Sequence, residues 1–409
     1  MRNDRACGSW WGADRRVLSR VLADLLYAEL RRLRLGAPGG PPPWRWTDDT
    51  RLDEFGPTAI DSLDRLSLSA AVAELVPDGG AGSALMRARH FGTLCDAVAD
   101  GVSNAPCRVT FRSSGSTGAP KSATHALAHL EDEAAALASL VGAGRRRVLS
   151  AVPAHHAYGF IHSVLLPRHL GGLPVIELRA HAPADLAMLL RPGDLVLGHP
   201  AFWEAASRGL VVRGPAGPLP ADVVGVTSTA PCPDATALGL RRAGLARLLQ
   251  VYGASETAGI GWRDDPASPY ALLPGWRRAG DGLLRGRESV QPPDLLGWDD
   301  DGRFRLLGRR DGAVQVGGVN VVPERVRVAL TRHPAVADVA VRAMRPEEGD
   351  RLKAFVVPAG DATDPDALRA ELRRFAASTL APAERPGAYS FGPALPRTEL
   401  GKSADWVAV

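Results

Sequence analysis

The segment SSGSTGAPK, residues 113–121, gathers four hydroxyls, two glycines and one lysine directly behind the apolar run RVTF. Ser113, Ser114, Ser116 and Thr117 supply O–H donors, and Lys121 supplies a positive charge. Gly115 and Gly118 allow positive φ and a close backbone approach to a bound group. These parts suit phosphate; the competing reading is an ordinary polar turn. The spacing excludes a Walker A loop, because Lys121 follows Gly118 by three residues with a proline between them. It is not a GxGxxG loop either.

SSGSTGAPK resembles the Ser/Thr/Gly-rich signature of the adenylate-forming superfamily, which includes acyl- and aryl-CoA ligases, nonribosomal adenylation domains and luciferases. Six further segments resemble that superfamily's elements, in its order: PAHHAYG at 153–159, STAPC at 228–232, VYGASETAGIG at 251–261, PDLLGWDDDGRFRLLGRRD at 293–311, QVGGVNVVPERV at 315–326 and PRTELGK at 396–402. The resemblance covers residues 105–405 or so. It implies that ATP activates a carboxylate at the α-phosphate with loss of pyrophosphate, and that a thiol then takes the acyl group. Charge gathers in that transition state, so fixed cations and donors are required.

The resemblance also implies residue roles. The loop from Ser113 to Lys121 wraps the β- and γ-phosphates. Glu256 holds Mg²⁺, a hard cation that takes carboxylate oxygen, and Ser255 donates to the α-phosphate. Thr229 and Ala230 lie in the adenine loop, and Tyr252, beside Gly253, stacks on adenine. Asp294 accepts the ribose hydroxyls with support from Arg309. Lys402 bridges carboxylate and α-phosphate. His156, Tyr158 and Gly159 line the acid site. Asp311 is the hinge of a rotating lid, and Gly317 and Gly318 admit pantetheine. Each residue also has a plainer reading: helix-start acid for Glu256, core aromatic for Tyr252, surface ion pair for Asp294 and Arg309, tail lysine for Lys402.

Some positions depart from the pattern. Ser122 stands for a frequent glycine and Gln315 for a frequent lysine, and QPPD replaces an aromatic-Arg-Thr-Gly-Asp run before Asp294. Only about a hundred mostly helical residues precede the phosphate loop, where the superfamily normally has an α/β subdomain. The short form resembles the compact coumarate–CoA ligases that supply the chromophore of photoactive yellow protein.

These residues need a scaffold. The chain has 409 residues, so two or three domains are expected. Apolar residues at helical spacing predict a helix over 15–35 and others over 62–75 and 89–102. From residue 109, short apolar runs (RVTF, RVLSAVP, LPVIEL, DLVLGHP, ADVVGVTST, LLQVYG) alternate with Ala-rich stretches. That predicts a large α/β body with a mainly parallel sheet. From residue 303 a smaller α+β unit follows. The expected division is a helical, acyl-carrier-like segment at 1–101, an AMP-binding body at 102–310 and an α+β lid at 311–409. In the first segment, FGPTAIDSLDRLSLSAAVAEL resembles the Asp-Ser-Leu segment of acyl carrier proteins. Ser62 is then either a phosphopantetheine site or the first residue of a capped, unmodified helix.

A net charge of +4 and scattered arginine clusters give no nucleic-acid footprint. No apolar run is long enough to cross a bilayer. The first residues lack a signal-peptide core. Four cysteines without CxxC or Cys/His ligand spacing point to a reduced, cytoplasmic protein without structural zinc. The expected activity is ATP-dependent ligation of an aromatic, hydroxycinnamate-like acid to CoA or a carrier phosphopantetheine, with ATP, Mg²⁺ and CoA as cofactors and an acyl carrier protein as the alternative acceptor. Two other readings remain: an adenylate-using enzyme with a non-thiol acceptor, such as ATP-dependent diazotisation of an aryl amine, and a non-catalytic carrier-like and ligase-like interaction protein.

Overall fold

Helix α1 (Trp10–Ala13) leads into α2 (Arg15–Leu33), whose first turn is capped by Asp14 accepting from the N–H groups of Arg16 and Val17. Leu18, Val21, Leu22, Leu26 and Leu30 recur at helical spacing and are buried. Asp61 caps α3 (Ser62–Leu75) in the same way through the N–H of Asp64. Next come α4 (Gly82–Arg87) and α5 (Phe91–Asn104). The predicted helices therefore form within a residue or two of their expected ends. The computed structural model describes residues 10–34, 40–53, 60–76, 82–104, 107–113, 121–212, 219–360, 364–396 and 404–407. Contacts divide the chain into one unit of Met1–Ser113, Ser122–Pro292 and Trp298–Arg305, and a second of Ser114–Lys121, Pro293–Gly297 and Leu306–Val409.

In the first unit, β1 (Arg108–Ser113) pairs with β2 (Lys121–Ala126), and α6 (Leu127–Val141) follows. The main sheet consists of β3 (Arg147–Ser150), β4 (Val175–Glu177), β5 (Asp194–Gly198), β6 (Val224–Thr227), β7 (Arg247–Ala254), β8 (Ala258–Arg263) and β9 (Ala271–Leu272), in the order β4-β3-β5-β6-β7-β8-β9. The pairs from β4 to β7 are parallel; β8 and β9 are antiparallel additions. Every residue of β5 and β6 is buried, as a sheet covered on both faces requires.

The connections include a continuous helical run of α7 (Ala157–Phe160), a π-helical stretch (Ile161–Leu165) and α8 (Leu166–His169), then α9 (Leu186–Leu189), α10 (Pro200–Val212) and α11 (Asp234–Arg242). Trp203 of α10 fills the space above Gly198 and Gly225, where an added Cβ would meet its ring at 2.8 Å. A three-stranded meander, β10 (Trp276–Ala279), β11 (Gly282–Arg285) and β12 (Glu288–Val290), completes the unit.

The N-terminal helices are ionically tied into this unit. Glu29 and Glu74 both pair with Arg112 of β1. Asp24, 3 % exposed on α2, accepts from the Ala154 N–H at 2.7 Å and faces Arg179 at 2.8 Å.

The hairpin of β13 (Asp294–Trp298) and β14 (Phe304–Arg309) precedes the small unit. There, β15 (Val314–Val316) and β16 (Val319–Val321) form a hairpin and α12 (Pro323–Leu330) follows. A three-stranded sheet of β17 (Val336–Ala343), β18 (Leu352–Pro358) and β19 (Ala388–Phe391) carries α13 (Pro365–Thr379). Its core joins Val326, Leu330, Val339, Leu352, Leu368 and Leu372. A large mixed α/β body and a small α+β unit are thus what the alternating pattern predicted.

The cysteines need one correction. Cys95 and Cys232 are free and buried, but Cys107 is disulfide-bonded, against the expectation of a fully reduced chain. Its partner lies outside the described residues; sequence spacing cannot reveal a bridge between distant residues. Among the described residues, no helix is long and apolar enough to cross a membrane.

Candidate active site

The loops after β3, β5, β6 and β7 leave the same edge of the sheet, the carboxyl ends of its parallel strands, where open α/β sheets bind ligands. Among the described residues three non-glycines have positive φ: Asp222, Thr229 at 82° and Ala258 at 58°. Thr229 and Ala258 both lie on this edge. Backbone strain of this kind persists only where the surroundings enforce it, and Thr229 is β-branched as well.

The turn after β7 carries Ser255 and Glu256. Glu256 is exposed, and Ser255 is half-buried. The turn closes through Thr257, which is 3 % exposed. Its Oγ1 accepts from the Ala254 N–H at 3.1 Å and donates to the Ala258 carbonyl at 2.9 Å. Gly253 is required here, since a Cβ would stand 2.2 Å from the Ala258 carbonyl oxygen. His125 reaches Ser255 O with Nε2 at 2.7 Å, and Glu133 accepts from the Gly259 N–H at 2.9 Å. Tyr252 is buried against Tyr270 and Phe304, with ring centroids 5.9 and 5.6 Å away.

Among the described residues no group of three or more His, Cys, Asp or Glu could hold a metal. A single exposed carboxylate on a fixed turn fits Mg²⁺, which keeps several waters and takes the rest of its ligands from substrate phosphates.

The segment at 153–169 forms a second wall. His156 is exposed by its own surface but stands in a dense neighbourhood, its ring centroid 3.9 Å from that of buried His155. Burial and Arg179 lower its pKa. Tyr158 sits with its hydroxyl 3.0 Å from both the Gly198 and Val226 carbonyls, so its proton serves the sheet; burial drives its pKa up. Gly159 packs so closely that a Cβ would lie 1.8 Å from the Pro153 carbonyl oxygen.

The π stretch holds His162, which is 1 % exposed. Its Nδ1 lies 2.9 Å from the Tyr158 carbonyl, so Nδ1 carries the proton and Nε2 presents a lone pair. That Nε2 is buried and has no hydrogen-bond partner among the described residues. Burial lowers the ring's pKa to about 4, which keeps it neutral. π-bulges and unpaired buried acceptors both mark functional positions.

In the second unit, Arg309 forks onto Asp311 with bonds of 2.9 and 2.8 Å, and Asp311 also accepts from the Ala313 N–H at 3.0 Å. Asp294 opens β13 and is half-buried. Gly317 and Gly318 form the two-residue turn between β15 and β16, with φ of 56° and 79°, as a type I′ hairpin demands. Ser62 is exposed at the first position of α3. Thr229 is exposed and Ala230 half-buried behind β6. Ser113 closes β1 and Lys121 opens β2, which pairs with it. Ser114, Gly115, Ser116, Thr117, Gly118 and Lys402 lie outside the described residues.

Sequence reasoning passed over His125, Glu133 and His162. Glu133 left a signal, as an acid on the stripe of Leu127, Leu130, Ala134, Leu137 and Val141. His125 and His162 carried none beyond residue type.

Comparison with known proteins agrees with this geometry. Residues 98–277 match the AMP-binding enzyme family and residues 327–402 match its C-terminal domain. The chain is 38% identical to a 4-coumarate–CoA ligase of Cereibacter sphaeroides over 96% of this chain and 97% of that one. It is 40% identical to a 4-coumarate–CoA ligase of Halorhodospira halophila over 94% of this chain and 97% of the relative. An amide bond synthetase structure from Marinactinospora thermotolerans shares the fold, with a TM-score of 0.56 at 19% identity over 94% of this chain and 92% of that one. The chain belongs to the AMP-binding enzyme family and is an AMP-forming acid–thiol ligase that uses ATP, Mg²⁺ and CoA.

Proposed function

We propose that the acid is a 4-hydroxycinnamate such as 4-coumarate, and that the product is its CoA thioester. The observation that carries the reading is His162: a neutral imidazole with its Nε2 lone pair buried and, among the described residues, unpartnered, beside a tyrosine whose own hydroxyl is committed to the sheet. A phenol O–H is the donor such an acceptor needs. The two relatives named above are called 4-coumarate–CoA ligases, which supports the same acid.

In the first half-reaction a carboxylate oxygen bonds to the α-phosphorus and pyrophosphate leaves. In the second, the CoA thiolate attacks the acyl carbon, AMP leaves, and the thiol proton passes to solvent. Glu256 would hold the Mg²⁺ that neutralises phosphate charge. Ser255 donates to the α-phosphate, Thr229 and Ala230 line the adenine loop, Asp294 takes the ribose, and Lys402 bridges carboxylate and phosphate. Asp311, with Arg309 across it, is the hinge residue. The acceptor thiol is that of CoA rather than of a carrier, and the exposed Ser62 is unmodified.

The test is mass spectrometry of reactions with ATP, Mg²⁺ and 4-coumarate or cinnamate, with and without CoA. We expect coumaroyl-CoA and AMP, with cinnamate used about 10- to 100-fold less efficiently because His162 Nε2 then stays unpaired. His162→Leu should erase that preference. Equal use of both acids by the unmodified chain would overturn the assignment of His162. AMP without thioester, or a pantetheine-sized mass on the chain, would redirect the acceptor to a nitrogen nucleophile or a carrier.

A further inference from the structure

The turn that bears Ser255 and Glu256 is gripped at both ends by one stretch of chain. His125, near the end of β2, is 9 % exposed, and its Nε2 lies 2.7 Å from Ser255 O. A carbonyl only accepts, so Nε2 donates. Burial lowers the pKa of this imidazole. A neutral ring with one N–H suffices for the bond. Phe111 flanks the ring, its centroid 5.9 Å away.

Glu133 lies eight residues further on, along α6, and is 3 % exposed. Its Oε2 accepts from the Gly259 N–H at 2.9 Å, while Trp276 Nε1 donates to the Gly259 carbonyl at 2.8 Å. A Cβ on Gly259 would stand 2.2 Å from Glu133 Oε1, so the glycine makes room for this carboxyl. Arg285 acts electrostatically on Glu133 and donates to the His129 carbonyl. The two contacts bracket residues 255–259, and both come from the chain that leaves the phosphate loop through β2.

We infer that His125 and Glu133 are positioning residues that brace the Glu256 turn against the strand and helix following the phosphate loop. The inference rests on the proposed role of Glu256 toward Mg²⁺. Neither side chain needs to touch substrate: each fixes backbone, His125 at a carbonyl and Glu133 at an amide. Groups that orient a metal-holding residue change metal affinity without being ligands themselves.

The experiment compares His125→Asn, His125→Gln and Glu133→Ala in the full chain. Glutamine puts an N–H where Nε2 stood; asparagine stops short of it. Two quantities are read. One is hydrogen–deuterium exchange of the peptide covering residues 252–262, measured without nucleotide. The other is the Mg²⁺ concentration for half-maximal coumarate-dependent ATP–pyrophosphate exchange. His125→Asn and Glu133→Ala should speed deuterium uptake in that peptide. They should also raise the half-saturating Mg²⁺ about tenfold. The KM for 4-coumarate should stay unchanged, and His125→Gln should restore both quantities. Equal behaviour of the Asn and Gln variants, or unchanged uptake at 252–262 in all three, overturns the brace. A wild-type chain with no acid-dependent exchange overturns the adenylation reading instead, and deuterium uptake still decides the brace.

Discussion

Two walls of the same sheet edge are built on opposite plans. In the turn at 255–259 the buried polar groups are paired: Thr257 with Ala254 and Ala258, His125 with Ser255, Glu133 with Gly259, Trp276 with Gly259. In the helical run from Ala157 to His169, buried polar capacity is left open among the described residues at His162 Nε2, with His155 Nδ1 also unpartnered there in the preceding loop. On the proposed function, the paired turn holds one geometry for the phosphate chemistry, which is the same for every acid. The open acceptor, which costs stability until a ligand satisfies it, would discriminate among acids. That reading separates rigidity and selectivity by element.

The largest expected effects come from crowding each wall. Gly253→Ala would drive a methyl to 2.2 Å from the Ala258 oxygen, and Gly159→Ala to 1.8 Å from the Pro153 oxygen. Backbone cannot yield cheaply, so each should cost about 3 kcal/mol, read from urea midpoints. The comparison sharpens if Gly253→Ala lowers turnover of 4-coumarate and cinnamate in equal proportion while Gly159→Ala changes their ratio. It breaks if both variants change the ratio alike.

Next in size is Glu256→Gln. Adenylation, read as pyrophosphate exchange, should fall about 100-fold, the scale of losing one fixed electrostatic group. The urea midpoint should hold, because the carboxylate is exposed. A large loss of stability would make Glu256 part of the scaffold and blur the contrast between what holds the turn and what the turn presents.

The last effect concerns the pH dependence of stability, and it is small except above neutral pH. Burial pushes the Glu133 carboxyl up from 4.5 to about 7, against the pull of Gly259 N–H and Arg285. Between those values the folded chain keeps a proton that the unfolded chain has released. The contribution of this group is therefore complete below the unfolded value and is lost as pH rises through about 7. Glu133→Gln should remove that loss, gaining on the order of 3 kcal/mol over wild type at about pH 8 and little at about pH 5. Parallel pH profiles for the two chains would show that the proton is not held there.

Much of the scaffold was legible. Alternating apolar runs foretold the parallel strands because a buried sheet tolerates little polarity, and Asp61 or Ser62 as a cap marked the start of its helix because an N-cap is a local interaction; the structure uses Asp61. The family was legible as ordered segments. The roles of Tyr158 and His162 were not, because nothing local tells that the tyrosine hydroxyl serves two carbonyls 40 and 68 residues away. The bridge at Cys107 escaped for the same reason.

By itself, the sequence determined the chemistry on offer: a hydroxyl- and glycine-rich loop with a lysine, a Ser-Glu pair after a strand, and the body and small unit that carry them. These follow from residue type and spacing, which act over a few residues. Only the tertiary structure decided which polar atoms are paired and which are open. His125 meets Ser255 across 130 residues and Glu133 meets Gly259 across 126, while His162 Nε2 has no hydrogen-bond partner among the described residues. Burial and pairing are properties of packed neighbours, and a chain's neighbours in space are set only when it folds.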